Sequence, residues 1–287
     1  MAKKPTMFHH EDEDAEVSIM EIKMSRMQFH VLGTTPIILN RLSEKAKHAL
    51  LFPSEKKNAA ERAGTMKHDP LQEYRDSPLR DRREDGPTRL ILPCGAFKGC
   101  LKDVALDIPG AAKSQVGRLT SIVETDISLF GTPMMSMMMV RSSNQQRTPD
   151  VRTRAICPEW ACRVTVSYVS SIIRQSNILN LLGAAGVIIG VGDGRPQKGT
   201  FSFGQFELVS ADNPDWNRIV REQGRSVQDA ALEAPGFYDQ ETEDLYNWFV
   251  EECKTRKAKK DQGDSMGGKK PRGRKKSNGD MGIPFTQ

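Results

Sequence analysis

The order of apolar segments along this chain of 287 residues predicts an α+β fold. Met27 to Leu32 is apolar enough for a first strand, and Ala161 to Val169 alternates as a half-buried strand does. Between them, Gly95 to Leu106 carries apolar residues at helical spacing. With the later segments, the predicted order is strand, helix, strand, strand, helix, strand. That order is typical of a ferredoxin-like core.

The remaining elements follow from the same periodicities and from turn residues. Strands are predicted over Thr88 to Leu92, within the apolar ribbon Ile127 to Val140, over Val187 to Val191 and over Phe203 to Val209. Helices are predicted from Ser43 to about Leu51, from Ser176 to Ala185 and from Asp239 to about Lys260. Residues 142–150 are polar and are expected to form a loop.

We expect one large domain over residues 26–260, flanked by disordered charged tails. Residues 1–25 carry an acidic block and residues 261–287 a basic one, although the net charge is only +5. Residues 53–87 are rich in charge, proline and glycine, which predicts a long mobile loop inserted into the domain.

The composition predicts a cytoplasmic protein without a metal or cofactor. No apolar run approaches the ~20 residues that span a bilayer, and the acidic N-terminus lacks a signal-peptide core. The five cysteines have spacings that match no common zinc pattern, so free thiols are expected. The glycine-rich segment is neither a P-loop nor a dinucleotide fingerprint, because it lacks Gly-Lys-Ser/Thr and the correctly placed third glycine.

The segment Asn180 to Val209 is the most informative part of the chain. Its glycines are Gly190, Gly192, Gly194, Gly199 and Gly204. Glycine lets the backbone approach a ligand closely, and the cations Arg195 and Lys198 beside it suit a polyanion. Phe201 and Phe203 follow; they either stack on the bases of a single strand or share a face in the core. The whole loop is alternatively a tight turn that binds nothing.

Further cations extend this candidate nucleic-acid site. They are Lys45 and Lys47 after the first strand, Lys98 and Lys102 one helical turn apart, and Arg152 and Arg154 in an extended run. Arg152 and Arg154 share one side of that run, which faces either a phosphate track or solvent. The basic run GGKKPRGRKK near the C-terminus adds non-specific affinity through counterion release or only solubility.

A family resemblance supports this interpretation. The run LLGAAGVIIGVGDGRPQKGTFSFGQFELV is similar to the C-terminal part of the RAMP superfamily, and most like the backbone subunit that coats guide RNA in CRISPR effector complexes. VLGTTPIILNRLSEKAK and VRTRAICPEWACRVTVSY resemble that family's first strand and the stretch before its last helix. The resemblance implies an RRM-like fold, with Lys45, Lys47, Arg195 and Lys198 near an RNA strand.

The same resemblance implies two insertions and repeated subunits. Residues 53–87 would be a finger-like insertion, and Met134 to Met139 belong to a second insertion or to a packing surface. A stand-alone, phage-encoded relative fits the charged tails equally well. The end of the chain, NGDMGIPFTQ, also resembles the acidic tip of bacterial single-stranded-DNA-binding proteins.

The sequence therefore predicts a non-enzymatic protein that coats single-stranded RNA or DNA as a homo-oligomer or filament, with no membrane partner. A metal-independent endoribonuclease of the same fold, a phage DNA-binding or recombination protein, and a purely structural oligomer remain open. No catalytic residue is assigned, because His30 lies in an apolar strand and Asp193 is an isolated carboxylate in the glycine loop.

Overall fold

A computed structural model of the chain describes residues 21–41, 44–52, 68–141, 148–198 and 201–266. The chain divides into two compact units, Met1–Thr242 and Glu243–Gln287. Several predicted features lie outside the described residues. They are the acidic block, residues 53–67 of the expected loop, Gly199, the basic run GGKKPRGRKK and the C-terminal tip.

The strands and helices, numbered in chain order, are as follows. The strands are β1 (Met24–Gly33), β2 (Ile37–Leu39), β3 (Leu79–Arg80), β4 (Leu90–Pro93), β5 (Thr120–Ile122), β6 (Asp126–Phe130), β7 (Met134–Arg141), β8 (Pro149–Cys157), β9 (Ala161–Val169) and β10 (Phe206–Val209). The helices are α1 (Glu44–Leu51), α2 (Pro70–Asp76), α3 (Cys94–Val104), α4 (Lys113–Leu119), α5 (Gln175–Ile188), α6 (Pro214–Glu222), α7 (Arg225–Glu233) and α8 (Gln240–Met266).

Two antiparallel sheets form the larger unit within the described ranges. The first has the strand order β10-β1-β9-β6-β4-β3, with β5 also paired to β9, and the second has the order β2-β8-β7. The run β10-β1-β9-β6 is a ferredoxin-like order, with α3 before β6 and α5 between β9 and β10. The α+β class and the ferredoxin-like core are therefore confirmed.

The paired strands β1 and β9 bury one face of the first sheet. Phe29 lies opposite Val164, and Val31 lies opposite Cys162; all four are buried. Helices α3 and α5 lie close to this sheet through β4 and β10 respectively. Phe97 of α3, for example, meets a phenylalanine of β10 edge to face at 5.5 Å between ring centroids. The strict alternation of these strands thus follows from one apolar and one polar face.

The other face of the sheet is covered at one end by α6. Trp216 and Ile219 pack against Leu32 of β1. The Trp216 ring also meets the His30 ring at 4.6 Å between centroids, and the Arg163 guanidinium lies 5.4 Å above Trp216. Burial, and then the Arg163 charge, lower the pKa of His30. His30 is thus a half-buried histidine held against an aromatic ring.

One predicted strand is wrong. Residues 187–191 do not form a strand, because α5 continues to Ile188 and then closes on Gly190. The N–H of Gly190 donates to Ala185 O at 2.9 Å, and Gly190 has φ 71°. A glycine in this left-handed conformation is a common helix stop, because it pays no Cβ penalty.

The loop predicted over residues 53–87 is wrong for residues 70–80, which contain α2 and β3, whereas residues 81–87 form no helix or strand. Asp69 caps α2 by accepting a hydrogen bond from Gln72 N, and Pro70 occupies the first turn. Tyr74 is fully buried, and its hydroxyl lies 3.0 Å from Pro133 O and 2.9 Å from Ala231 O. Burial raises the pKa of Tyr74. One aromatic side chain therefore anchors a segment whose composition resembles a surface loop.

The smaller unit consists, in its described part, of most of α8. This helix runs to Met266, beyond the predicted end at Lys260 and into the segment expected to be disordered. Pairs one turn apart stabilise its exposed surface: Lys254 with Glu251 at 3.3 Å is one of them. No helix in the described part of the chain is long and apolar enough to cross a bilayer.

Candidate nucleic-acid interface

The glycine loop, residues 189–198, is fastened along the free edge of β2. The Asp193 N–H donates to Ile38 O at 2.9 Å, and an isolated antiparallel bridge joins the same two residues. Just beyond the loop, the Gly204 N–H donates to Pro36 O at 2.8 Å. The loop therefore continues the sheet β2-β8-β7 by backbone bonds rather than projecting freely.

Two of the glycines are required by this close approach. Gly192 has φ 81°, and a Cβ there would lie 2.8 Å from Ile37 Cγ1. Gly204 has φ 71°, and a Cβ there would lie 1.7 Å from Val191 O. Any side chain would have to displace backbone at Gly204. These glycines are thus explained by packing, whether or not the loop binds a ligand.

The two cations of the loop differ in exposure, and Arg195 is half-buried. Arg195 donates from its Nη1 to Gly192 O at 2.8 Å and from its Nε to Gln197 Oε1 at 3.2 Å. Lys198 is exposed at the end of a short 3-10 turn. Neither cation forms an ion pair with another described residue. Arg195 is therefore oriented by neutral acceptors, and both charges are available to an anion.

Asp193 makes two side-chain contacts that the sequence does not show. Its carboxylate forms an ion pair with the Arg154 guanidinium of β8. It also accepts a hydrogen bond from Asn40 Nδ2 at 3.0 Å. Arg154 and Asn40 thereby hold the glycine loop from two sides, and Asp193 neutralises Arg154 rather than Arg195.

Arg152 and Arg154 lie on β8, as the extended run predicted, but they differ in environment. Arg152 is exposed and lies 3.0 Å from Asp150 Oδ2. Asp150 also lies 2.9 Å from His68 Nε2, and Glu73 lies 2.6 Å from the other ring nitrogen, Nδ1. Arg152 thus belongs to a charged cluster along β8, while Arg154 is half-buried against the loop.

Lys98 and Lys102 are one turn apart on α3, but only Lys102 is exposed. The Lys98 ammonium donates to Gly117 O at 2.7 Å and also to Thr120 O. Burial, and then the Lys102 charge, lower the pKa of Lys98. The Lys98 ammonium thus satisfies carbonyls at the end of α4, where helices leave acceptors unpaired.

The remaining predicted contacts are placed only in part. Lys45 and Lys47 lie on α1, and Lys47 is half-buried. Gly199 lies outside the described residues. The roles assigned to these three residues stay predictions.

Phe201 and Phe203 form a ring pair beside the loop. Their centroids are 5.7 Å apart, with an angle of 34° between the rings. Phe201 is 46% exposed, whereas Phe203 is half-buried near Gly194. The core interpretation is therefore wrong for Phe201, which offers an aromatic surface at the end of the loop.

A cavity of about 250 Å³ opens beside Arg195. Its polar side includes Asn40 and Arg41, which follow β2, together with Asp193 and Arg195. The backbone N–H of Arg41 donates to Ser77 O at 2.7 Å, which fixes this side of the cavity. The sequence analysis missed Asn40 and Arg41. Their signal was the polar pair that directly follows the apolar run PIIL.

Metal-binding residues are not grouped in the described ranges. No three His, Cys, Asp or Glu side chains there lie close enough together to hold a metal ion. All five cysteines lie in the described residues, and none of them forms a disulfide. Burial raises the pKa of Cys100 to about 12, and that of Cys157 to about 12 as well.

Comparison with known proteins gives structural likeness only. No model of a protein family matches the chain, and no curated protein matches it. A type III-B Cmr-beta structure bound to cognate target RNA is 14% identical, with a TM-score of 0.36, over 66% of this chain and 60% of that chain. Cmr6 from Pyrococcus furiosus is 9% identical, with a TM-score of 0.30, over 65% of this chain and 98% of that chain. These likenesses are loose, and neither carries a conclusion about function.

Proposed function

We propose that this protein is a non-enzymatic, RAMP-like protein that binds single-stranded nucleic acid and coats it as repeated subunits. One observation carries the proposal. Arg195 and Lys198 are presented by a loop that is fixed to β2, and no ion pair within the described residues neutralises them. Such an arrangement suits a polyanion.

The fixed loop lowers the cost of binding. Backbone bonds from Asp193 to Ile38 and from Gly204 to Pro36 hold the loop before any ligand arrives. A preordered site loses less conformational entropy on association than a mobile one does. The N–H groups of Gly192 and Gly194 donate to no other described residue, so they are available to a phosphate oxygen.

The local charge has the sign that a phosphate chain requires. Arg154 neutralises Asp193, which leaves the positive charges of Arg195 and Lys198 in excess. Phe201 adds an exposed ring beside them. Cations that follow the backbone and aromatic rings that stack on bases are the two usual components of sites for single strands.

Two of the histidines in the described residues, His30 and His68, favour a binding role over catalysis. Both ring nitrogens of His68 lie against carboxylates, those of Glu73 and Asp150. His30 packs on Trp216, and its lowered pKa follows from burial and from Arg163. A general base needs an accessible nitrogen within reach of its substrate.

Defined cleavage products from RNA incubated with the protein in EDTA would instead favour the endoribonuclease.

The proposal is tested with a labelled 40-mer of single-stranded RNA or DNA, titrated at several salt concentrations. Binding should weaken steeply with salt, because each neutralised phosphate contributes about −0.7 to the slope of log K against log salt for single strands. Affinity that is absent, or flat against salt, would contradict the proposal. A larger sedimenting species that disappears after nuclease treatment would support coating by repeated subunits.

A matched pair of variants locates the site. Arg195→Ala/Lys198→Ala should weaken binding and reduce the salt slope by about 1.4, the value for two lost phosphate contacts. Lys23→Ala/Arg221→Ala removes the same charge and is the control. Lys23 adjoins the opposite end of β1 from the loop, and Arg221 is exposed on α6. Equal affinity of the two double variants would place the contact elsewhere.

A further inference from the structure

We infer that the cavity beside the glycine loop receives one unpaired nucleobase of the bound strand, and prefers bases that carry an exocyclic amino group. This inference rests on the proposed function, since the base reaches the cavity as part of a bound strand. It adds a specificity element that phosphate contacts lack, because phosphates are the same in every sequence.

The size of the cavity suits a single ring system. Its volume is about 250 Å³, below the roughly 300–1,000 Å³ typical of sites for drug-sized ligands. A base can enter while its sugar and phosphate stay outside. Arg195 is one of the lining residues, so a strand held by that cation passes close to the cavity.

The walls are apolar and already formed. Ile91 and Leu92 of β4 and Ile38 of β2 are buried side chains that line the cavity. Leu79 and Ala96 are half-buried and also line it. Apolar side chains favour the faces of a planar ring over water. These walls offer a bare phosphate no hydrogen bonds, so a phosphate would be held only at the polar side, by Asn40, Arg41 and Arg195.

The polar groups of the cavity recognise the hydrogen-bonding edge of the base. Asn40 Nδ2 donates to Asp193 Oδ2, and this orientation leaves Asn40 Oδ1 as an acceptor. The Arg154 guanidinium holds the Asp193 carboxylate, which contributes further acceptor positions. Acceptors at the rim complement the amino groups of adenine, cytosine and guanine. Uracil and thymine carry no exocyclic amino group and cannot satisfy these two acceptors from that position, whereas Arg41 and Arg195 supply donors that serve the ring nitrogens and carbonyls of every base.

The test separates the cavity from the phosphate contacts. Affinities of the full-length protein are measured at one salt concentration for 30-mers of oligo(A), oligo(C) and oligo(U) and for a strand of abasic residues. We expect oligo(A) or oligo(C) to bind about tenfold more tightly than the abasic strand, which is about 1.4 kcal/mol. Oligo(U) should bind more weakly than both.

Two variants assign the effect to the cavity. Ala96→Leu fills it and should reduce the advantage of oligo(A) and oligo(C) over the abasic strand to that of oligo(U), which keeps only the stack on Phe201. Asn40→Ala should abolish their advantage over oligo(U). Ala211→Leu, on the exposed turn before α6, is the control and should preserve both differences. Thermal melting verifies folding, and Leu79→Phe replaces Ala96→Leu if that variant does not fold.

The outcomes are distinct. No binding to any strand overturns the proposed function and the cavity inference together. Salt-dependent binding that is equal for oligo(A), oligo(C) and oligo(U) overturns the cavity inference alone, whether or not the abasic strand binds more weakly. A preference for oligo(A) and oligo(C) over oligo(U) that persists in both Ala96→Leu and Leu79→Phe overturns this cavity as its source.

Discussion

The cations of the glycine loop and those of its surroundings look alike in sequence but differ in the folded protein. Arg195 and Lys198 form no ion pair among the described residues, whereas Lys98 donates to backbone carbonyls and Arg154 to Asp193. A cation that is neutralised by a carboxylate, as Arg154 is, or whose ammonium donates to two carbonyls, as that of Lys98 does, stabilises the fold. It has to give up those bonds before it can bind a phosphate. The difference shows why basic residues in a sequence do not by themselves define a nucleic-acid site.

The same difference applies to the two arginines of β8. Arg152 and Arg154 are two residues apart and share one side of the strand, so the sequence treats them as equivalent. Arg154 is half-buried and positions the loop through Asp193, whereas Arg152 is exposed beside Asp150. We therefore assign Arg154 a positioning role, and we leave Lys98 out of the proposed contact set.

The largest expected effect comes from Gly204, which lies just beyond the glycine loop. Gly204→Ala should lower the free energy of unfolding by about 2–4 kcal/mol, since it adds left-handed strain and a contact with Val191 O. Nucleic-acid affinity should fall with it. Gly183→Ala in α5 meets nothing within 4 Å and should stabilise the protein by about 0.5–1 kcal/mol. Chemical denaturation measures both; a neutral Gly204→Ala would contradict the described loop.

Two lysine variants test the comparison directly. Lys98→Met should lower the free energy of unfolding by about 1.5–3 kcal/mol, because Gly117 O and Thr120 O lose a charged donor. The salt slope of binding should not change. Lys198→Met should leave stability within about 0.5 kcal/mol of the parent and reduce the salt slope by about 0.7. The reverse pattern would show that the two lysines were assigned to the wrong roles.

A smaller effect is expected at the exposed ring. Phe201→Ala should weaken binding by about 1 kcal/mol through the loss of one base stack, with little change in stability. Trp248→Ala is a control, since Trp248 is exposed on α8. If fluorescence titrations give the two variants the same affinity, Phe201 does not stack on a base.

The smallest effect concerns pH. The pKa of His30 is lowered in the folded protein, so the unfolded chain binds its proton first. Stability should therefore fall as pH decreases below about 6.5, the ordinary histidine value, and level off below the lowered folded-state pKa. His30→Gln should reduce the loss of melting temperature between pH 7 and pH 5. An unchanged loss would mean that other groups cause it.

The strands of the ferredoxin-like core were predictable because their apolar alternation reports which side is buried. Residues 161–169 were placed correctly at both ends. The helix–strand choice at 187–191 failed, since a short buried apolar run does not distinguish the two. The prediction for residues 70–80 failed for a different reason: Tyr74 is the one aromatic residue that anchors them, and a single aromatic residue gives no periodic signal.

The amino-acid sequence alone determined the α+β class, the central strands and the position of a glycine-rich loop with two cations. Local periodicity and glycine content encode these features. Each can therefore be predicted from its own segment, without knowing which distant residues it contacts. Only the tertiary structure decided which charges remain available, that Asp193 is held by Arg154 and Asn40, and that a cavity opens beside Arg195. Those features depend on residues far apart in the chain, and their pairing follows from how β2, β8 and the glycine loop meet in space.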